Sequence, residues 1–252
     1  MDDLGAAHQF NQLSSAEQEK FLQAARQMTS FALHHAVPII FAPKRGVAGK
    51  VNGATGSILR LGTALYFVTA AHVLAGYEQR VQAGETLNWQ MGSLPPCDPT
   101  ARIAKRSVEL DIVLLQLTEK EVAEIGPCHH ATFSRPPLPV PSEGRLVLVA
   151  GYPRILREVD LGANVIGAGP YSALFKITRT GPGYFYCQIE QRDLVSFDDR
   201  PLPPPDADFG GLSGGPVLLV GTLSYPLVGV ITEVCSMVGT GLLRAATLHD
   251  FV

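Results

Sequence analysis

From about residue 36 onward the chain is a succession of short apolar runs, each seven to nine residues long, cut apart by glycine, proline and aspartate. The runs are GSILRLG (56–62), ALYFVTA (64–70), ELDIVLLQL (109–117), RLVLVAGY (145–152), ALFKITRT (173–180), YFYCQIEQ (184–191), GPVLLVG (215–221), PLVGVITEV (226–234) and GLLRAAT (241–247). β-branched and aromatic residues suit a pleated, half-buried surface, and the punctuating residues suit tight turns. Long helical patterns between the runs are missing, so a parallel sheet with crossover helices is disfavoured. Many short strands with turns between them predict an antiparallel barrel or sandwich.

Two helices interrupt this texture. SSAEQEKFLQAARQMTSFALHH carries a capping box, Ser14 and Glu17, followed by an apolar stripe at Phe21, Ala25, Met28 and Ala32. It is expected to form one amphipathic helix, docked on the body of the protein or on a regulatory partner. A second capping box, Thr118 with Glu121, predicts a small helix at 118–125. The expected organisation is an N-terminal helical extension (1–35) and a main domain (36–252) whose halves divide near residue 135.

A chain of 252 residues can bury a sizeable core, and 46% hydrophobic against 17% charged residues is a globular balance. A net charge of −3 gives no electrostatic case for nucleic acid or an anionic membrane. The first thirty residues read as no secretory signal, and the apolar runs, AVPIIFA among them, are too short to span a bilayer. Cys97, Cys128, Cys187 and Cys235 form no CxxC pair, so reduced thiols and a cytoplasmic location are expected, with no metal or organic cofactor. CHH at 128–130 has metal-binding residue types, but adjacent side chains on one short loop seldom converge on one ion.

The chemistry concentrates in GLSGGP, residues 211–216. A serine hydroxyl becomes a nucleophile only when a base takes its proton, usually a histidine oriented by a carboxylate. The stretch fits both the GxSxG elbow of α/β-hydrolases and the GxSGGP motif of chymotrypsin-like peptidases. The elbow needs a helix directly after the serine, whereas Gly214, Gly215, Pro216 and a β-branched run follow here. Glu233 and His249 would supply its acid and base in order only on paper. The order of subtilisin would leave only Asp2 and Asp3 ahead of His72. The order histidine, aspartate, serine fits better. YFVTAAHVL places His72 just past a buried strand, and VELDIVLLQL places Asp111 at the start of another. A carboxylate in so apolar a run needs a partner, because burying it alone costs several kcal/mol. The three residues lie 39 and 102 positions apart, two in one half of the chain and one in the other.

These three segments resemble the signature blocks of the trypsin-like (chymotrypsin-fold) serine peptidases, over about residues 50 to 248. The resemblance implies two six-stranded antiparallel β-barrels with the reacting groups in the cleft between them. It implies His72 as general base, Asp111 as its orienting group, Ser213 as nucleophile, and the N–H groups of Gly211 and Ser213 as the oxyanion hole. Ala207 falls at the base of the primary specificity pocket, and Thr232 to Val234 on the strand that pairs with the substrate backbone. Ala207 there implies a small or apolar side chain before the cut, although Asp206 and Asp208 flank it. VAGYPRI (149–155) is similar to a turn of bacterial members. Leu212 stands where the secreted digestive enzymes carry an aspartate, and no cysteine pair flanks His72, which points to the bacterial or intracellular branch. The implied activity is serine endopeptidase, acting on polypeptide. A catalytically silent or gated binding module is the alternative, and an esterase on the same triad a weaker one.

Overall fold

The computed structural model describes residues 6–44, 50–128, 130–133, 138–160, 165–190, 195–196, 204, 207–221, 224–237 and 240–252. In the first half, β1 (Val37–Pro43), β2 (Asn52–Leu61), β3 (Ala64–Ala70), β4 (Leu87–Met91), β5 (Ile103–Ser107) and β6 (Ile112–Leu117) pair antiparallel in the order β4-β1-β2-β3-β6-β5. A short β7 (His130–Phe133) runs parallel to β2. In the second half, β8 (Leu146–Gly151) is followed by a separate hairpin, β9 (Arg157–Asp160) with β10 (Val165–Ala168). Then come β11 (Tyr171–Lys176), β12 (Arg179–Gly181), β13 (Tyr184–Glu190), β14 (Pro216–Leu219), β15 (Leu227–Met237) and β16 (Thr240–Thr247), in the order β11-β8-β14-β15-β16-β13-β12.

Counted along the chain, the six main strands of each half follow one cyclic order, 1-2-3-6-5-4. The first sheet is opened between its fourth and fifth strands and the second between its second and third. Two antiparallel barrels of the chymotrypsin type result. Each sheet has one strand beyond the expected six: β7 in the first, β12 in the second. Each barrel encloses an apolar core, around Ile39, Phe67, Trp89 and Leu115 in one, and Val149, Phe185, Val217 and Ile231 in the other. A third cluster, with Leu59, Val68, Leu148, Leu218 and Val230, packs between them. Each such fully buried aliphatic side chain contributes about 1.5–3 kcal/mol, so the barrels are held as one unit by the same force that fills them.

α1 (Ala6–Asn11) was not expected. α2 (Ser15–Leu33) begins at the Ser14–Glu17 capping box and packs on β8 and β11 of the second barrel. Its buried face is Ala25, Thr29 and Ala32 rather than the full expected stripe. Phe21 lies exposed and its ring packs, tilted, on that of Phe10 with centroids 5.4 Å apart instead. Small residues on the buried face let the helix backbone approach the sheet closely. Past β3 the chain turns into a helix at His72, α3 (Ala71–Gln82), of 12 residues. α4 (Glu119–Ile125) carries the Thr118–Glu121 box as expected.

No described helix is long and apolar enough to cross a membrane. All four cysteines are free thiols, and burial pushes that of Cys187 up to about 12. His129 and the side chain of His130 lie outside the described residues, among which no three His, Cys, Asp or Glu side chains cluster as metal ligands do.

Candidate active site

β3 ends at Ala70, and α3 starts at the next residue with no side-chain cap of its own. The first N–H groups of a helix have no partner within it and must find one elsewhere. Asp111 supplies it from the residue just before β6, the strand paired with β3. Its backbone carbonyl accepts from the Ala71 N–H at 3.0 Å, and its Oδ1 from the His72 N–H at 2.8 Å. Its other carboxylate oxygen, Oδ2, lies 2.7 Å from His72 Nδ1. One carboxylate thus caps the helix and orients the imidazole. With Nδ1 committed, Nε2 is the nitrogen left to exchange a proton. The Asp111 side chain is 16% exposed and that of His72 50%, which suits a held acid and an accessible base.

Asp111 does not lie in the strand, as its apolar surroundings suggest; β6 begins one residue later. It has φ +55°, the one non-glycine among the described residues with positive φ. Aspartate tolerates this left-handed conformation better than most residues. The turn before it is held by Ser107 Oγ, which accepts from the Leu110 N–H at 3.1 Å, and by the Asp111 N–H donating to Val108 O. From the second barrel the Tyr184 hydroxyl donates to Glu109 O. Arg244 lies over the Tyr184 ring at 4.9 Å.

Ser213 sits in a segment stretched between the barrels. On one side Gly214 N–H donates to Ile231 O at 2.7 Å, and Ile231 N–H to Gly215 O at 2.9 Å, tying it to β15. On the other side Thr55 of β2 brackets it. The Thr55 N–H donates to Ser213 O at 3.0 Å, and its hydroxyl donates to Gly211 O at 2.7 Å while accepting from the Tyr152 N–H at 2.9 Å. Thr69, three residues before His72, donates to Thr55 O at 2.7 Å and packs against Gly214. The serine segment is therefore docked on the strand pair whose end carries His72. The Ser213 hydroxyl itself has no hydrogen-bond partner among the described residues. Thr55→Val should leave Gly211 O and Tyr152 N–H unsatisfied at a site where Thr55 is fully buried. It is expected to cost about 3 kcal/mol, measured by denaturant unfolding.

The backbone donors of this segment divide cleanly. Gly210 N–H goes to Asp208 Oδ1, Leu212 N–H to Phe209 O, Gly214 N–H to Ile231 O and Gly215 N–H to Leu212 O. The N–H groups of Gly211 and Ser213 have no acceptor among the described residues. At Gly211, φ is +103° and a Cβ would press on Tyr152 O. Only glycine meets both conditions without strain.

The residues expected to contact substrate are found in different states. Ala207 is buried, with its N–H on Pro204 O; Asp206 lies outside the described residues. Asp208 pairs with Arg154 at 3.6 Å. Thr232 is buried at a bulge in β15, its hydroxyl accepting from Arg244 Nε at 3.2 Å. Val234 is partly buried against the second core. Thr55 and Tyr184 escaped sequence reasoning, because an ordinary threonine or tyrosine on a strand carries no local signal of a partner about a hundred positions away.

No protein-family model and no curated protein matches this chain. Among solved structures it is similar to a thermostable serine protease from an extremophilic microorganism, at 14% identity, over 85% of this chain and 91% of that one, with a TM-score of 0.44.

Proposed function

We propose that the chain is a serine endopeptidase of the trypsin-like kind, acting on polypeptide through an acyl-enzyme. Ser213 Oγ attacks the scissile carbonyl, and His72 Nε2 takes its proton and returns it to the leaving amine. Asp111 fixes the ring and stabilises the imidazolium. The carbonyl oxygen, negative in the transition state, is received by the N–H groups of Gly211 and Ser213. Water then attacks the ester with His72 again as base. The acyl-side backbone lies along β15 at Thr232 to Val234, and Ala207 closes the pocket for a small or apolar side chain.

One observation carries this reading. Of the donors in the serine segment, the two without an acceptor among the described residues are the pair an oxyanion would need, in a segment docked on the strand pair that leads to a histidine oriented by a carboxylate. A gated variant of the same reading is favoured by the Ser213 hydroxyl, which has no hydrogen-bond partner among the described residues. Nucleophile–base hydrogen bonds are often long without substrate and tighten when it binds.

A fluorophosphonate probe tests the reading, because it phosphonylates only a serine activated in this way. The parent protein should be labelled, with the adduct on Ser213 by peptide mass mapping and none on Ser213→Ala. A parent that stays unlabelled across pH 6–9, with and without peptide substrates, would leave a binding module as the better account.

A further inference from the structure

Arg157 opens β9, directly after the turn Arg154–Leu156. Its side chain folds back towards the serine segment. The guanidinium occupies the space a Cβ on Gly53 would fill, and Nη2 stands 3.3 Å from where a Cβ on Gly211 would be. The side chain is half-buried, yet among the described residues it makes no hydrogen bond and has no carboxylate within 4.0 Å. Burial and the neighbouring Arg154 charge push its pKa down, against a smaller opposing pull from Asp208. Asp208 is already engaged, with Arg154 at 3.6 Å and with the Gly210 N–H at 2.8 Å. Among the described residues two guanidinium groups therefore share one carboxylate, which leaves a surplus positive charge beside Gly211.

The position fixes which part of a substrate it would meet. Ser213 is flanked on one side by β15, through the Gly214 and Gly215 bonds to Ile231. On the other side Gly211 rests on Tyr152 O and Arg154 N. If the acyl segment follows β15, as in the reading above, the side of Ser213 left for the leaving segment is the one where Arg157 lies close to Gly53 and Gly211. A planar guanidinium fork is matched by a carboxylate, which accepts two parallel N–H bonds.

We propose that Arg157 is a specificity residue that binds a carboxylate on the leaving side of the scissile bond. The carboxylate belongs to an Asp or Glu one or two positions after the cut, or to a chain end close behind it. The inference rests on the peptidase reading above, and its test separates the two.

The full chain is given matched peptides with a single cleavable bond. They carry Glu or Gln at the first or second position after that bond, and end in a free acid or an amide. A side-chain source gives a Glu-over-Gln preference in kcat/KM of about tenfold or more whichever terminus is present. A terminal source gives the same preference for acid over amide only in the shortest leaving segments. In either case Arg157→Gln should bring the ratio to within about twofold of unity, and Arg157→Lys should keep part of it. Gly53→Ala, whose methyl would displace the guanidinium, should also lower it. Equal cleavage of acidic and neutral peptides by a parent that labels with fluorophosphonate would overturn the proposal while leaving the peptidase reading intact. So would an undiminished preference in Arg157→Gln. A parent that neither labels nor cleaves sinks the peptidase reading, and this proposal with it.

Discussion

Replacing His72 by alanine is expected to lower kcat/KM for a cleavable peptide by about a million-fold, while the thermal midpoint stays within about 2 °C of the parent. The two effects separate because the ring and the backbone of His72 have different partners. The backbone N–H is held by Asp111 Oδ1, and an alanine keeps that bond. The ring is half exposed and its Nδ1 meets only Asp111 Oδ2. Asp111→Asn should behave differently. Both groups facing the carboxylate, the His72 N–H and the ring Nδ1–H, are donors. An asparagine offers one acceptor and one NH2, so either the α3 cap is lost or the ring must take the other tautomer, in which Nε2 carries the proton. The rate should fall about ten-thousand-fold, and stability by about 1–2 kcal/mol. Steady-state kinetics and calorimetry on the same preparations read both. A His72→Ala protein that retains a hundredth of the parent rate would rule out the imidazole as the base.

The largest loss of stability is expected at Gly214→Ala, about 4 kcal/mol or more, enough to prevent accumulation of folded protein in a domain of ordinary stability. Gly214 has φ +87°, where an L side chain is strained. A Cβ there would also overlap Thr55 O and Thr69 Oγ1. Neither can retreat. Thr55 O already accepts from Thr69 Oγ1, and Thr55 and Thr69 are both fully buried. Because the clash is with backbone and a locked hydroxyl, relaxation must move β2 or the serine segment itself. Gly62→Ala makes the control: its φ is also positive, at +59°, but nothing lies near the added methyl. It should cost about 1 kcal/mol. Denaturant midpoints of the two variants, or the soluble yield if Gly214→Ala does not fold, decide the point. Equal effects would show that backbone strain alone, rather than the approach of the barrels, makes glycine necessary at 214.

Local chemistry wrote much of this protein into its sequence. The capping boxes at Ser14 and Thr118 start helices where expected, because a cap is settled within four residues. β3 coincides with ALYFVTA, since a run of β-branched and aromatic residues is also a local pattern. The strands without an unbroken apolar run, such as β5 with its IAKRS, were not legible. Their placement comes from pairing with β6, and backbone pairing leaves no mark on side-chain type. ALFKITRT splits into β11 and β12 for a related reason. Ile177 and Thr178 turn their N–H groups to Arg145 O and Tyr186 O, an arrangement set by the closing of the second barrel.

By itself the sequence determined the antiparallel class and the two capped helices, and it singled out His72, Asp111 and Ser213 as the candidate triplet, because each depends on residue type and chain order. Tertiary structure alone decided that Asp111 stands outside its strand in a left-handed turn, capping α3 with one oxygen and holding His72 with the other. It alone decided that Thr55 ties the serine segment to the first barrel, and that the Gly211 and Ser213 amides have no acceptor among the described residues while their neighbours are spent. The division follows from range. Propensity and capping act over one or two turns of chain, whereas the Asp111–His72 and Thr55–Gly211 bonds join residues 39 and 156 positions apart, which no local pattern encodes.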